Sequence, residues 1–341
     1  MTTVGRSLAC GPVLACPDKF KGTASAPEVA AAIAAGARRH GVASVERPLS
    51  DGGEGLLDIA GGANRSTQVT GPLGRPVLAE WRLEDGEAVI EMAGAAGLTL
   101  AGGATGNDPV GASTAGVGEL VLVAVDAGAT RIVVGCGGSA TTDGGSGAVE
   151  VIGSPARLGD TKLLVACDVE VGYLQAARLF GPQKGATPRQ ARLLGDRLQA
   201  LAERYRAEFG RDVSRLAGSG AAGGLAGGLA ALGAELVPGI ELVAEMTGLD
   251  RLLAGAAAVV TGEGRLDAGS FAGKVVGSVA RRSAGRPVAC VCGRSDATGR
   301  RMAAARGVTV LDLSARYGSE RAMAETPALV ETAVSTWLET L

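Results

Sequence analysis

Residues 12–50 read as one β-α-β unit, and that alternation breaks off near residue 66 and resumes only near 240. The first strand is PVLAC at 12–16. In SAPEVAAAIAAGARRHG, Ser25 and Glu28 have the spacing of a capping box and Gly41 that of a helix terminator. A second strand, SVERPLS at 44–50, closes the unit and leads into DGGEG. Such a crossover commits its two strands to a parallel sheet. The alternation returns in AAVVTGEG, PVACVCG and VTVLDLS, each followed by a helical stretch, with a last helix from about 319. Two strands from the start and three from the end make one five-stranded, doubly wound parallel sheet, a Rossmann-like α/β fold.

The stretch between does not fit that sheet. TQVTGPLGRPVLAEWRLEDGEAVIEMAG alternates with period two and turns at GPLG and EDGE, where Asp85-Gly86 is a hairpin signal. Antiparallel strands here predict an inserted α+β domain over 67–240, which leaves 1–66 and 241–341 as a discontinuous Rossmann-like domain. The insert continues through a helix near 112–127, the strands RIVVGC and LLVACDV, and a long helix opening at Thr187-Pro188. Gln190 completes a second capping box there. The alternating arginines and glutamates of that helix read as a solvated face. A chain of 341 residues suits two domains, and with 46% hydrophobic but only 3% aromatic residues the cores must be built from Val, Leu, Ile and Ala.

Several function classes drop out. A net charge of −2 leaves no electrostatic footprint for nucleic acid. The six cysteines contain no C-x-x-C pair, and Cys16, Cys167, Cys290 and Cys292 lie in or beside apolar runs, where a reduced thiol acts as a small hydrophobe. No basic segment followed by an apolar run and no stretch of membrane-spanning length is present, so no membrane partner and a cytoplasmic location are expected. The single histidine, His40, ends ARRHG and reads as a helix C-terminal residue. A general base must then be a carboxylate.

The polar clusters PDKFKG, DGGEG, TGEGRLD and CGRSD all fall past the carboxyl ends of the Rossmann-like strands, the edge where open α/β sheets bind ligands. Lys19 and Lys21 offer point charges for phosphate or carboxylate. Asp51 and Glu54, with Gly52 and Gly53, read either as a capped turn or as acidic groups for Mg2+ or a hydroxyl. TGEGRLDAGSFAGK invites a P-loop reading but fails it, because Ala268 replaces the first glycine and Val275 the metal-holding hydroxyl. Glu263, Arg265, Asp267 and Lys274 remain as a charged cluster, a site or a surface salt-bridge network. GSGAAGG (218–224) follows the poor strand VSRLA. GCGGSATTDGGSG (135–147) follows RIVV but lacks the β-α-β unit with a closing acid that a dinucleotide loop needs, so neither reads as a nicotinamide site. Consecutive amides at Gly137, Gly138 and Ser139, and at Gly220 and Gly223, suit an anion instead.

Taken in order, PDKFKGTASAPEVA, SDGGEG, TGPLGRPV, IEMAGAAGL, GCGGSATTDGG, VACDV, FGPQKGA, GSGAAGG, ELVPGIELV, VVTGEGRLD and the GK at 273–274 make the chain resemble the type I glycerate kinase family over nearly its whole length. The resemblance implies a kinase using ATP and Mg2+, with D-glycerate as small-molecule acceptor at its 2-hydroxyl. In that setting Lys21, Lys184 or Lys274 would neutralise phosphate, with Arg265 beside them, and Glu54 and Glu263 would hold the metal. Asp168, ending LLVACD, is the first choice of base for in-line transfer, ahead of Asp51 and Asp267. Two segments depart from the family: 153–163 is shortened, and EVGYLQ stands where relatives carry Asp-Asn-Pro-Leu. Ala115 also stands where an aromatic residue is common. A kinase of another small hydroxy acid and a catalytically silent binding homologue stay open as alternatives, as does a homo-oligomer.

Overall fold

In this computed structural model the described residues are 11–167, 170–283 and 285–341. Among them the strands are, in order, β1 (Val13–Ala15), β2 (Ser44–Glu46), β3 (Arg65–Thr70), β4 (Pro76–Glu84), β5 (Glu87–Glu91), β6 (Arg131–Gly135), β7 (Lys162–Cys167), β8 (Glu235–Pro238), β9 (Ala258–Leu266), β10 (Val288–Ser295) and β11 (Val308–Asp312). The chain divides into two compact units, Met1–Asp51 with Val243–Leu341, and Gly52–Leu242.

The first unit holds a five-stranded sheet in the order β11-β10-β9-β1-β2, every neighbouring pair parallel. Its order is that of a doubly wound sheet whose switch point lies between β1 and β9. The helix Ala26–Arg38 carries the expected capping box of Ser25 and Glu28. It packs against Thr326–Leu338, and at Gly36 a Cβ would lie 2.8 Å from the Glu331 carbonyl oxygen, so only glycine permits that approach. His40 follows this helix and places Nε2 2.9 Å from Ser335 Oγ. Val13, Val29, Ile33, Val260, Val291, Leu311 and Val334 fill the core between helices and sheet.

One expectation needs correction here. TGEGRL and the CGRS of CGRSD do not lie past their strands but extend them, with Arg294 opposite Arg265 and Ser295 opposite Leu266. A Cβ on Gly293 would come 2.7 Å from the Gly264 carbonyl oxygen, so glycines that read as a turn let two strands run close together.

The second unit holds a six-stranded mixed sheet in the order β3-β4-β5-β6-β7-β8. Its first three strands are antiparallel and β5 through β8 are parallel. Asp85 (φ 48°) and Gly86 (φ 80°) form the two-residue turn joining β4 to β5, the left-handed pair that such a hairpin requires. The long helix Pro188–Phe209 has the Thr187–Gln190 capping box and buries Leu194, Leu198, Leu201 and Tyr205 on one face. The second unit begins at Gly52, ahead of the period-two stretch. Glu91, at the end of β5, explains this: its carboxylate accepts hydrogen bonds from the Gly55 and Leu57 amides at 2.8 and 2.9 Å.

Cys16, Cys136, Cys167, Cys290 and Cys292 are buried, and Cys10 lies outside the described residues. Burial pushes the Cys16 and Cys292 thiols well up from their ordinary range. Among the described residues no helix is long and apolar enough to cross a membrane.

Candidate active site

In the first unit the turn after β1 is pinned to its neighbour β9. Thr261 Oγ1 donates to the Cys16 carbonyl at 3.0 Å, and the Asp18 amide donates to the Gly262 carbonyl at 2.8 Å. Asp18 is therefore held at the carboxyl end of the sheet, and its carboxylate accepts the Lys19 amide at 2.7 Å. Burial and the negative charge of Asp51 push its carboxyl up to about 7, against the pull of Lys19 and Lys274. Glu263, on β9, is likewise raised to about 7, mainly by burial, with Asp18 and Asp267 adding to the rise. A hydrogen bond from Ser270 and the charge of Lys274 oppose it. Its Oε1 is buried without a hydrogen-bond partner.

The sequence candidates of this unit thus converge in part. Asp51 and Lys19 act on the Asp18 carboxyl, Asp267 acts on that of Glu263, and Lys274 acts on both. Arg265 is exposed and pairs with Asp267 at 3.4 Å, and Asp267 caps the turn Ala268–Phe271 by accepting the Gly269 amide at 2.8 Å. Lys21 is exposed. Asp18 was missed among the candidates although PDKFKG contains it; its signal is an acid just past the buried strand PVLAC, the pattern that singled out Asp168. Asp168 itself lies outside the described residues.

Among the described residues no three His, Cys, Asp or Glu side chains gather as a metal site. Mg2+ at a phosphoryl-transfer site needs only one or two carboxylates, the remaining positions going to phosphate oxygens and water. Two crowded, proton-loving carboxyls and the orphaned Glu263 Oε1 fit such a cation.

The second unit places its polar groups differently, on backbone. The loop 135–145 follows β6 and leads into the helix Ser146–Ile152. Its glycines permit contact between main chains: a Cβ on Gly137 would lie 2.6 Å from the Glu54 amide nitrogen, and one on Gly223 would meet the Thr141 carbonyl oxygen. Gly138 faces Glu54 Oε1 in the same way, Gly52 meets Gly239, and Gly220 meets the Gly172 carbonyl. Gly52, Gly53, Gly220 and Gly223 are buried, while Gly138 is exposed and Ser139 half-buried. Asp143, buried in this loop, was not a candidate. Its carboxylate accepts the Thr114 amide and hydroxyl, both at 2.8 Å, and the Gly145 and Gly147 amides at 3.1 and 3.2 Å.

Lys184 departs from its expected role as a free phosphate ligand. It is 3% exposed, and its ammonium donates to the Thr141 carbonyl at 2.6 Å. Burial pushes it down to about 8, with the Asp143 carboxylate opposing. Tyr173 and Tyr205 both donate to the Gly144 carbonyl, at 2.7 and 3.2 Å. Among the described residues the Gly137, Gly138 and Ser139 amides donate to no protein acceptor.

Residues 13–156 and 150–341 match the sequence model described as the glycerate kinase family. The chain is 40% identical over 313 residues to the glycerate 2-kinase of Escherichia coli K12, covering 79% of this chain and 82% of that one. It is 38% identical over 323 residues to the glycerate kinase of Halalkalibacterium halodurans, covering 82% and 85%. A crystal structure of a protein assigned as glycerate kinase 2 from Salmonella typhimurium LT2 superposes with a TM-score of 0.80 at 33% identity, over 97% of this chain and 98% of that one.

Proposed function

The chain belongs to the glycerate kinase family and is an enzyme, a kinase; from that premise we propose that it transfers the terminal phosphoryl group of ATP to the 2-hydroxyl of D-glycerate. The observation that carries this reading is the pair of carboxyls, Asp18 and Glu263, crowded at the carboxyl edge of a doubly wound sheet beside Lys274. A pair of carboxyls crowded in this way has a purpose when a cation and phosphates complete it. Glu263 and Asp18, both of the first unit, would hold Mg2+. The ion would supply positive charge to phosphate oxygens.

The remaining roles fall to the chain's own groups. Lys19, Lys21, Lys274 and Arg265 neutralise phosphate charge. The amides of Gly137, Gly138 and Ser139 donate to an oxyanion, and the turns at Gly52–Gly53 and Gly220–Gly223 keep the backbones around it close. A carboxylate takes the hydroxyl proton as the new O–P bond forms and the bridging O–P bond breaks to release ADP. Asp168 holds that role in this reading, with Asp51 next. Asp267, engaged as a cap, ranks last.

The test is ADP release from ATP and Mg2+ with D-glycerate, L-glycerate, glycolate and lactate in turn, the product being identified by mass spectrometry and phosphorus NMR. D-glycerate should give the largest stimulation and 2-phosphoglycerate as product. Equal ADP release with and without every acid would end the kinase reading, and 3-phosphoglycerate would overturn the regiochemistry.

A further inference from the structure

We propose that Lys184 and Asn107 are positioning residues that hold the turn Gly137–Ser139 ready for an oxyanion, a proposal that rests on the kinase reading above. Lys184 ends the short turn Pro182–Lys184, and its ammonium is committed to the Thr141 carbonyl. One carboxamide ties the two segments together: Asn107 Nδ2 donates to the Ala140 carbonyl at 3.0 Å and to the Lys184 carbonyl at 2.9 Å. Consecutive carbonyls of the loop, at 140 and 141, are thus fixed by two side chains.

The other end of the turn is fixed as well. The Leu98 amide donates to the Gly138 carbonyl at 2.8 Å, and the Ala140 amide donates to the Ala96 carbonyl at 2.9 Å. A trans peptide is planar, with its C=O and N–H antiparallel, so tying the Gly138 carbonyl to Leu98 turns the Ser139 amide the opposite way. Gly138 adopts φ 68°, and among the described residues the amides of 137, 138 and 139 have no protein acceptor. Successive amides of this kind form an anion-binding concavity, for a carboxylate or a phosphoryl group alike.

A packing role alone does not account for the support. Among the described residues Asn107 Oδ1, Thr141 Oγ1 and Thr142 Oγ1 are buried without partners, and the buried Lys184 ammonium donates to the Thr141 carbonyl. Polar groups held in this state are against their hydrogen-bonding preference, the mark of a segment kept in place for its geometry. Lys184 therefore serves the anion through the loop rather than by touching it.

The experiment compares the full-length wild type with Lys184→Met and Asn107→Ala. It records kcat, separate KM values for D-glycerate and ATP, calorimetric affinities for D-glycerate and ADP, and Tm. A lesion that only reduces the folded fraction lowers kcat and leaves KM alone, whereas a misplaced turn weakens the anion it holds. Both variants should lose about tenfold or more in affinity for one of the two ligands, with the other ligand's affinity and kcat within about threefold. Loss confined to D-glycerate assigns the turn to the carboxylate, and loss confined to ADP and ATP assigns it to a phosphoryl group. Wild-type affinities for both ligands in the folded variants, or parallel losses tracking a lower Tm, would overturn the proposal. If Lys184→Met does not fold, Asn107→Ala decides on the same readings. Absence of glycerate-stimulated ATP turnover in the wild type sinks the kinase reading instead, while the calorimetry still reports on the turn.

Discussion

Asp143 in the second unit and Asp18 in the first are both carboxylates in glycine-rich surroundings, yet their partners differ. Asp143 collects the Thr114 amide and hydroxyl and the Gly145 and Gly147 amides. Asp18 accepts the Lys19 amide in a place where burial and Asp51 drive its proton affinity up. A carboxylate surrounded by donors is finished as a structural part. One that is half-buried, crowded by another carboxyl and bonded through one amide is the kind of group we propose for a cation, and the contrast sets scaffold against proposed site without reference to sequence motif.

The sharpest break in that comparison is Asp143→Ala. It strands four donors in a buried loop and should lower the stability of the second unit by about 3–5 kcal/mol, read by urea denaturation. A loss under about 1 kcal/mol would remove Asp143 from the scaffold. Asp18→Asn should do the reverse, lowering kcat/KM by about 10²–10³-fold with the fold intact. Wild-type turnover in that variant would place the site elsewhere.

The same substitution has a pH signature of smaller size. The folded-state carboxyl is raised to about 7, so between roughly pH 4 and 7 the folded protein binds the proton that the unfolded chain releases. Stability contributed by Asp18 therefore falls as pH rises through that window and stays low above it. Asp18→Asn should stabilise the ligand-free protein by about 1–3 kcal/mol at pH 8 and by almost nothing near pH 4. A gain independent of pH would contradict the cause given for the shift. The weakest effect belongs to Arg265→Ala: with its side chain 57% exposed and a 3.4 Å ion pair to Asp267, stability should stay within about 0.5 kcal/mol. KM for ATP should rise by about threefold, and an unchanged KM would drop Arg265 from the phosphate contacts.

Much of the scaffold was legible because it is written in local chemistry. Ser25 with Glu28, Thr187 with Gln190, and Asp85-Gly86 each specify their own geometry within a few residues, and each forms as read. What escaped the sequence depends on partners far along the chain. Lys184 sits between proline and glycine and looks exposed, but the Thr141 carbonyl 43 residues away and the burial around it decide its state. Glu91 gives no sign that it holds the amides of Gly55 and Leu57. The end of β9 was hidden because Gly-Glu-Gly reads as a turn until β10 supplies the ladder.

The five buried thiols give this molecule an internal clock for its own opening. Cys16, Cys290 and Cys292 belong to the first unit, and Cys136 and Cys167 to the second. All five are buried, and burial also pushes the Cys16, Cys290 and Cys292 thiols up, so they wait for backbone opening before an alkylating reagent can reach them. The order in which mass tags accumulate on peptides holding 16, 290 and 292, against those holding 136 and 167, therefore times the melting of each sheet separately in one native chain. A ligand that clamps only one sheet would slow only that set of tags, and so would reveal which half of the protein it grips.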